Sequence, residues 1–188
     1  MYYTMHVAGL ERRLPICPVS DSLSIGAFVI FGDAELTVSA ARDLLRLAPE
    51  HDYILTAEAK GIPLAHEMAR LAGNQKYLVA RKKAKAYMQE VFDVPVHSIT
   101  TAGEQHLFLD KADADLIRGA RICIVDDVIS TGESLHAVEE LVKAAGGEIV
   151  GRLAILAEGD SQTRKDIQYL EKLPLFHPDG TILEGSLH

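Results

Sequence analysis

Two adjacent carboxylates, Asp126 and Asp127, are followed after a two-residue gap by Ser130, Thr131, Gly132, Glu133 and Ser134. The small residues bring hydroxyls and backbone N–H groups to the start of a helix beginning near Glu133. Such a helix end carries unpaired donors and a partial positive charge, so it can hold a phosphate. The carboxylates ahead of it can accept hydrogen bonds from hydroxyl groups. They follow Ile122-Cys123-Ile124-Val125, an apolar run without polar alternation, which fits a strand covered on both faces of a parallel sheet. The pair then falls at the carboxyl end of that strand, where open α/β sheets place their ligands. A ligand with one phosphate and neighbouring hydroxyls, such as ribose 5-phosphate, satisfies both halves. Each half alone has a plainer reading, a solvated Asp-Asp turn and a Ser-Thr-Gly cap; the joint spacing carries the signal. Neither Gly-x-x-x-x-Gly-Lys-Ser/Thr nor Gly-x-Gly-x-x-Gly occurs in the chain.

Two upstream segments supply cations. Glu58-Ala59-Lys60-Gly61 connects a strand expected over 53–57 to a helix expected over 62–72, a turn carrying one cation and a glycine. A strand over 76–80 leads into Arg81-Lys82-Lys83-Ala84-Lys85, which reads either as a solvated charge run or as a self-repelling segment that orders on an anion. Apolar stretches over 96–101 and 104–109 flank Ala102-Gly103, a hairpin signal.

The remaining elements position these groups. Leu36, Ala40, Leu44 and Leu47 recur at helical spacing behind Asp33, a good N-cap. A helix over 133–145 stops at Gly146-Gly147, a strand follows over 149–157, and a further helix is expected over 162–172. Strands alternating with helices predict an α/β protein built on a parallel sheet. Residues 1–32 read as an appended flap of strands and 174–188 as an irregular tail, so the 188 residues form one domain with its core over 33–173.

Composition narrows the classes. With 27 acidic against 19 basic side chains the net charge is −8, which disfavours a general nucleic-acid role. No apolar run reaches membrane-spanning length and no signal peptide is visible at the start. Two cysteines far apart, Cys17 and Cys123, read as reduced thiols of a cytoplasmic protein. The eight histidines show no paired metal-ligand spacing.

Four segments together resemble the type I phosphoribosyltransferases, purine branch. Asp126 to Ser134 resembles their phosphoribosyl-pyrophosphate (PRPP) loop, and Glu58, Ala59, Lys60, Gly61 and Ile62 resemble the pyrophosphate loop. Residues 81–85 are similar to the lysine-rich loop of adenine phosphoribosyltransferases, and 98–104 match the flexible catalytic hairpin in position. Val29-Ile30-Phe31-Gly32-Asp33 resembles the adenine-enzyme segment that sets a phenylalanine on the base; Phe31 is thereby nominated for stacking, with a buried core phenylalanine as the other reading. Adenine enzymes commonly carry a glutamate in the hairpin where Thr100 or Thr101 stands here, with Glu104 beyond, a xanthine-enzyme-like feature.

The resemblance implies a twisted parallel sheet with helices on both faces, a catalytic hairpin and a small hood. It implies transfer of ribose 5-phosphate from PRPP to a purine, adenine favoured and xanthine or guanine the alternative. Ser130, Thr131, Gly132, Glu133 and Ser134 would hold the 5′-phosphate, and Asp126 and Asp127 the ribose hydroxyls. Glu58, Ala59, Lys60 and Gly61 with Arg81, Lys82 and Lys85 would hold pyrophosphate, and Thr100 and Glu104 would act from the hairpin. Mg²⁺ is implied as the cofactor, bound through substrate and to Asp126 and Asp127. A non-proline cis bond is expected at Ala59-Lys60, and a homodimer is implied. Purine repressors built on this fold sense PRPP without turnover, but they carry a winged-helix domain for which this chain has too few residues before Asp33.

Overall fold

A computed structural model describes residues 1–97 and 104–188. Its centre is a parallel sheet of β4 (Tyr53–Ala57), β5 (Leu78–Ala80), β8 (Arg121–Ile129), β9 (Glu148–Glu158) and β10 (Gln168–Leu173), in the order β10-β9-β8-β4-β5. All four strand pairings are parallel. From β4 the chain moves outward to β5, and from β8 it moves the other way to β9 and β10. The order therefore reverses between β4 and β8, and the loops leaving these neighbours open a crevice at the carboxyl edge.

Helices cover both faces, as the unbroken apolar strands require. On one face α1 (Ala34–Leu47) and α2 (Ile62–Ala72) bury Leu36, Leu44, Leu64 and Met68 against Ile54, Cys123, Val125 and Leu153. On the other, α3 (Lys111–Ile117) and α4 (Glu133–Ala144) bury Ile117, Leu135, Val138 and Leu141 against Leu55, Ile122, Ile124 and Ala154. Neighbouring strand residues thus point into opposite cores. Cys17 and Cys123 are free thiols, and burial pushes the Cys123 thiol up to about 12, so it packs as a small apolar group.

The opening residues form an antiparallel meander, β1 (Tyr2–Val7), β2 (Leu10–Pro18) and β3 (Ser24–Gly26), completed by β11 (Leu175–Phe176) from the tail in the order β1-β2-β3-β11. Ala8 and Gly9, both at positive φ, make the two-residue turn between β1 and β2. Met5, Val7, Leu14, Phe28 and Ile30 sink into the core shared with α1 and α2. Arg12 ties this layer to α1: its Nε is 2.6 Å from Asp33 Oδ2, while Asp33 Oδ1 accepts the Leu36 N–H at the helix start. The bond from Arg12 holds the Asp33 carboxyl below its usual range.

Three expectations need correction. Residues 162–172 are not a helix: a 3-10 turn (Gly159–Thr163) leads into β10. Ile167 and Leu170 are three apart, which mimics helical spacing, but Tyr169 and Leu170 pack into opposite cores and the backbone pairs in parallel with β9. The open edge of β9 offers a full set of hydrogen bonds, and that decides the conformation. Gln162, buried beside this strand, donates to the Leu173 and Ser186 carbonyls and accepts the His188 N–H, so it anchors the tail. The strand expected over 76–80 is confined to Leu78–Ala80, and the hairpin strand expected from 96 already begins at Val91, as β6 (Val91–His97) paired antiparallel with β7 (Glu104–Asp110).

Candidate active site

The loop after β8 and the loop after β4 meet at the crevice. Past Ile129, Gly132 takes a left-handed conformation (φ 81°) as the N-cap of α4 and supplies no side-chain cap. The first N–H groups of α4 are left facing the loop, apart from a long 3.4 Å contact from the Glu133 N–H to Thr131 Oγ1. A Cβ on Gly132 would stand 2.8 Å from Arg164 Nη1, so the glycine also makes room for a guanidinium beside the loop.

The strand continues through both aspartates, so their backbones are held by the β9 ladder, with Asp126 opposite Ala154. Asp127 is 2 % exposed, and its N–H donates to Asp126 Oδ1 at 2.8 Å. Lys60 Nζ stands 2.9 Å from Asp127 Oδ2, yet this buried oxygen has no hydrogen-bond partner among the described residues. The ammonium approaches outside hydrogen-bonding alignment, so the oxygen sees a cation but no aligned donor. Burial first, and then the charge of Asp127, raise the Asp126 carboxyl above its usual 3.8. An acid raised in the folded state binds more protons folded than unfolded, so it costs stability as pH rises above the ordinary carboxylate range. Asp126→Asn keeps the oxygen that accepts the Asp127 N–H and removes that penalty. Its melting temperature should exceed wild type by more at pH 8 than at pH 5, which calorimetry at the two pH values measures; an equal gain at both would show that Asp126 is not strained by its charge.

Lys60 and Gly61 lie against the pair. A Cβ on Gly61 would stand 2.2 Å from Thr56 Oγ1 and 3.2 Å from Asp126 Oδ1, so only a bare backbone fits. The cis bond is Glu58-Ala59, one position before the expected Ala59-Lys60. Glu58 does not face the crevice as an anion holder would. Its carboxylate gathers the basic segment, with Lys85 Nζ at 3.4 Å, Arg81 Nη2 at 3.6 Å and the Lys82 N–H donating at 3.2 Å. Burial pushes the Glu58 carboxyl up, but these partners together hold it below its usual range. The repulsion expected within 81–85 is therefore offset by an acid from the neighbouring loop. Arg81 also exchanges backbone hydrogen bonds with Phe108, fastening the segment to β7, and its Nε is buried without a hydrogen-bond partner among the described residues.

Two cavities adjoin the loop after β8, and Thr131 borders both. One, of about 730 Å³, lies between Lys82, Lys83 and Phe108 and the loop residues Thr131, Glu133 and Ser134. It brings the basic segment to the helix start, a juxtaposition suited to a polyanion. The other, of about 380 Å³, runs from Ser130 and Thr131 past Glu158 to Ile25, Leu175 and Leu183 of the antiparallel layer and tail. Both sizes fall within the ~300–1,000 Å³ of small-molecule sites.

Not every nominated residue gathers here. Thr100 lies outside the described residues, and Glu104 is placed only by its backbone, opposite His97 at the start of β7. Phe31 is 50 % exposed, which overturns the core reading, but it lines neither cavity. Glu158 and Arg164 were missed. Burial pushes the Glu158 carboxyl up, with Lys60 pulling it the other way. A charged residue ending an apolar strand at the carboxyl edge was the signal for Glu158; nothing in the sequence pattern pointed to Arg164.

The donor set bears on a metal. No group of three His, Cys, Asp or Glu side chains converges among the described residues. Two neighbouring carboxylates, one with an orphaned buried oxygen, fit Mg²⁺ that completes its shell with substrate oxygens rather than a protein cage.

Known proteins complete the description. A hypoxanthine/guanine phosphoribosyltransferase of Methanococcus voltae is 32% identical over 182 residues, covering 94% of this chain and 90% of the relative. One of Methanothermococcus okinawensis is 28% identical over 188 residues, covering 93% and 98%. Among solved structures, adenine phosphoribosyltransferase from Thermoanaerobacter pseudethanolicus superposes with TM-score 0.66 at 20% identity, covering 85% of this chain and 95% of that one. The Saccharomyces cerevisiae enzyme, solved with adenine, gives 0.60 at 19%, covering 90% and 92%. At these identities the structures speak to the fold alone, which they share with the five-stranded parallel sheet described above. A family model, the phosphoribosyl transferase domain, matches residues 35–176, a span that holds both loops, the basic segment and the sheet that brings them together, and the chain belongs to that family.

Proposed function

We propose that the protein transfers the 5-phosphoribosyl group of PRPP to a ring nitrogen of a purine base. The observation that carries this is the meeting, at one crevice, of the Asp126–Asp127 pair, the uncapped start of α4 and Lys60. The C1′–oxygen bond to pyrophosphate breaks, the C1′–nitrogen bond forms, and the ring N–H proton is released. Positive charge develops on the sugar as the bond breaks, so the buried carboxylates stabilise it electrostatically. Their orphaned oxygen is suited to a ribose hydroxyl. The N–H groups at 132–134 bind the 5′-phosphate and fix the sugar, while Lys60, Lys82 and Arg81 carry the charge of the leaving pyrophosphate. Asp126 and Asp127, with substrate oxygens, would hold Mg²⁺, which would supply further charge neutralisation of the pyrophosphate. The hairpin with Thr100 and Glu104 is assigned the exclusion of water, and the antiparallel layer the part of hood over the base.

For the base, the relatives named above favour hypoxanthine or guanine, whereas the likeness of residues 29–33 to adenine enzymes favours adenine. We take the first, because the relative at 32% identity spans nine-tenths of both chains. A panel of purines incubated with PRPP and Mg²⁺, with nucleotides resolved by chromatography, should give GMP or IMP as the main product. Adenine as the sole acceptor would restore the other preference, and PRPP binding with no turnover on any base would make the protein a sensor. A cytoplasmic homodimer is the assembly expected, and light scattering measures its mass. Among the described residues no helix is long and apolar enough to cross a membrane.

A further inference from the structure

We infer that Glu158 selects the base, its carboxylate accepting the N1–H and 2-amino hydrogens of guanine in the cavity between the end of β9 and the antiparallel layer. This rests on the transfer reading above and names the residue that decides its acceptor.

Glu158 is the last residue of β9, and the preceding Ala157 is paired with Ile129 of β8. That register sets Glu158 at the carboxyl edge, beside Ser130, where the phosphate loop begins. The cavity of about 380 Å³ spans this interval: Ser130 and Thr131 form one end, and Ile25, Leu175 and Leu183 supply apolar wall. A base joined to a sugar whose phosphate sits at 132–134 extends along the same wall, so a flat apolar ring meets flat apolar surface. Three acids border the space, Glu158, Asp160 and Glu184, and the latter two are exposed to water. Only Glu158 is partly withdrawn, and its carboxylate has no hydrogen bond or ion pair among the described residues; Lys60 acts on it from a distance while contacting Asp127. A partly desolvated acceptor without a donor is costly, and a ligand that brings donors removes that cost.

The donor pattern then discriminates. A carboxylate offers two acceptors side by side, and guanine offers two parallel donors, N1–H and the 2-amino group, so the pair closes bidentately. Hypoxanthine offers only N1–H. Adenine sets the lone pair of N1 beside its 6-amino group, and that lone pair faces a carboxylate oxygen unfavourably. Glutamine weakens this match, because an amide keeps one acceptor for guanine and can turn its N–H toward N1, where adenine carries a lone pair.

The test is Glu158→Gln, compared with wild type in steady-state transfer from PRPP to guanine and to adenine, together with calorimetric affinities for GMP and AMP. The guanine-to-adenine ratio of kcat/KM should fall about 10- to 100-fold, the scale of one bidentate contact, with KM for PRPP unchanged. The GMP-to-AMP affinity ratio should fall in step, and Glu158→Ala should lose guanine preference without gaining adenine. An unchanged ratio, or equal losses for both bases with a raised KM for PRPP, overturns the assignment and makes Glu158 a part of the fold. If wild type forms no nucleotide from any purine, the transfer reading fails; the GMP and AMP affinities of the three proteins still decide for or against Glu158. If the Gln variant does not fold, Glu158→Ala decides by the same affinity ratio.

Discussion

Asp127→Asn should lower kcat/KM for nucleotide formation by about 10²–10³-fold, the size of effect seen when one preorganised electrostatic group is removed from a reaction centre. The change is nearly isosteric, but it removes a negative charge that is 2 % exposed and 2.9 Å from the Lys60 ammonium. Two consequences follow from that geometry. Positive charge on the sugar loses its buried counter-charge, and Lys60 is released from its anchor. Asp126 also loses the neighbouring charge that helps raise its carboxyl, so its proton is given up at lower pH. The fold should survive, because the Asp127 N–H and its bond to Asp126 Oδ1 are untouched. Steady-state kinetics alongside thermal melting measure both halves. Wild-type turnover in a folded Asp127→Asn protein would remove the pair from the reaction and reduce it to a strand end.

Gly61→Ala should both destabilise the protein, by about 1–3 kcal/mol, and abolish most turnover. A methyl group there meets Thr56 Oγ1 at 2.2 Å and Asp126 Oδ1 at 3.2 Å, and neither neighbour is the end of a long flexible chain. Thr56 is buried within β4 and Asp126 is held by the ladder to β9, so the loop must give way. Displacing it moves Lys60, the preceding residue, away from Asp127. Adding Thr56→Ala opens the tightest contact, so the double variant should recover most of the melting temperature. Recovery of turnover should be smaller, because the contact with Asp126 persists. Melting curves and kcat/KM on the two single variants and the double variant test the argument; a Gly61→Ala protein that melts and turns over like wild type would show that the loop does not press on the aspartates.

The elements that depend on their own residues were legible beforehand. Asp33 caps α1, Gly61 and Pro63 open α2 over Ile62–Ala72, and Gly146-Gly147 follow the end of α4, each from side-chain or backbone chemistry within a few positions. The phosphate loop belongs to the same class, since its strand, its small residues and its helix are contiguous. The failures share the opposite property. The spacing of residues 162–172 permits a helix, and only the free edge of β9, distant in sequence, makes Gln168–Leu173 a strand. Glu58 read as part of an anion loop, and only the folded chain turns it toward Arg81, Lys82 and Lys85. For Phe31 the structure removes one of two readings, the core ring, because the side chain is half exposed.

The residues of the proposed donor site are local: two acids at a strand end and a helix start whose N-cap Gly132 offers no side-chain cap adjoin one another in sequence. What the tertiary structure decided is which groups oppose that site. The reversal of strand order between β4 and β8 sets Lys60 on Asp127, and the β8–β9 register carries Glu158 to the far side of the phosphate loop. Side-chain spacing along one segment reports the burial of that segment; it holds no record of register between strands tens of residues apart, and the acceptor side of this crevice is built from such registers.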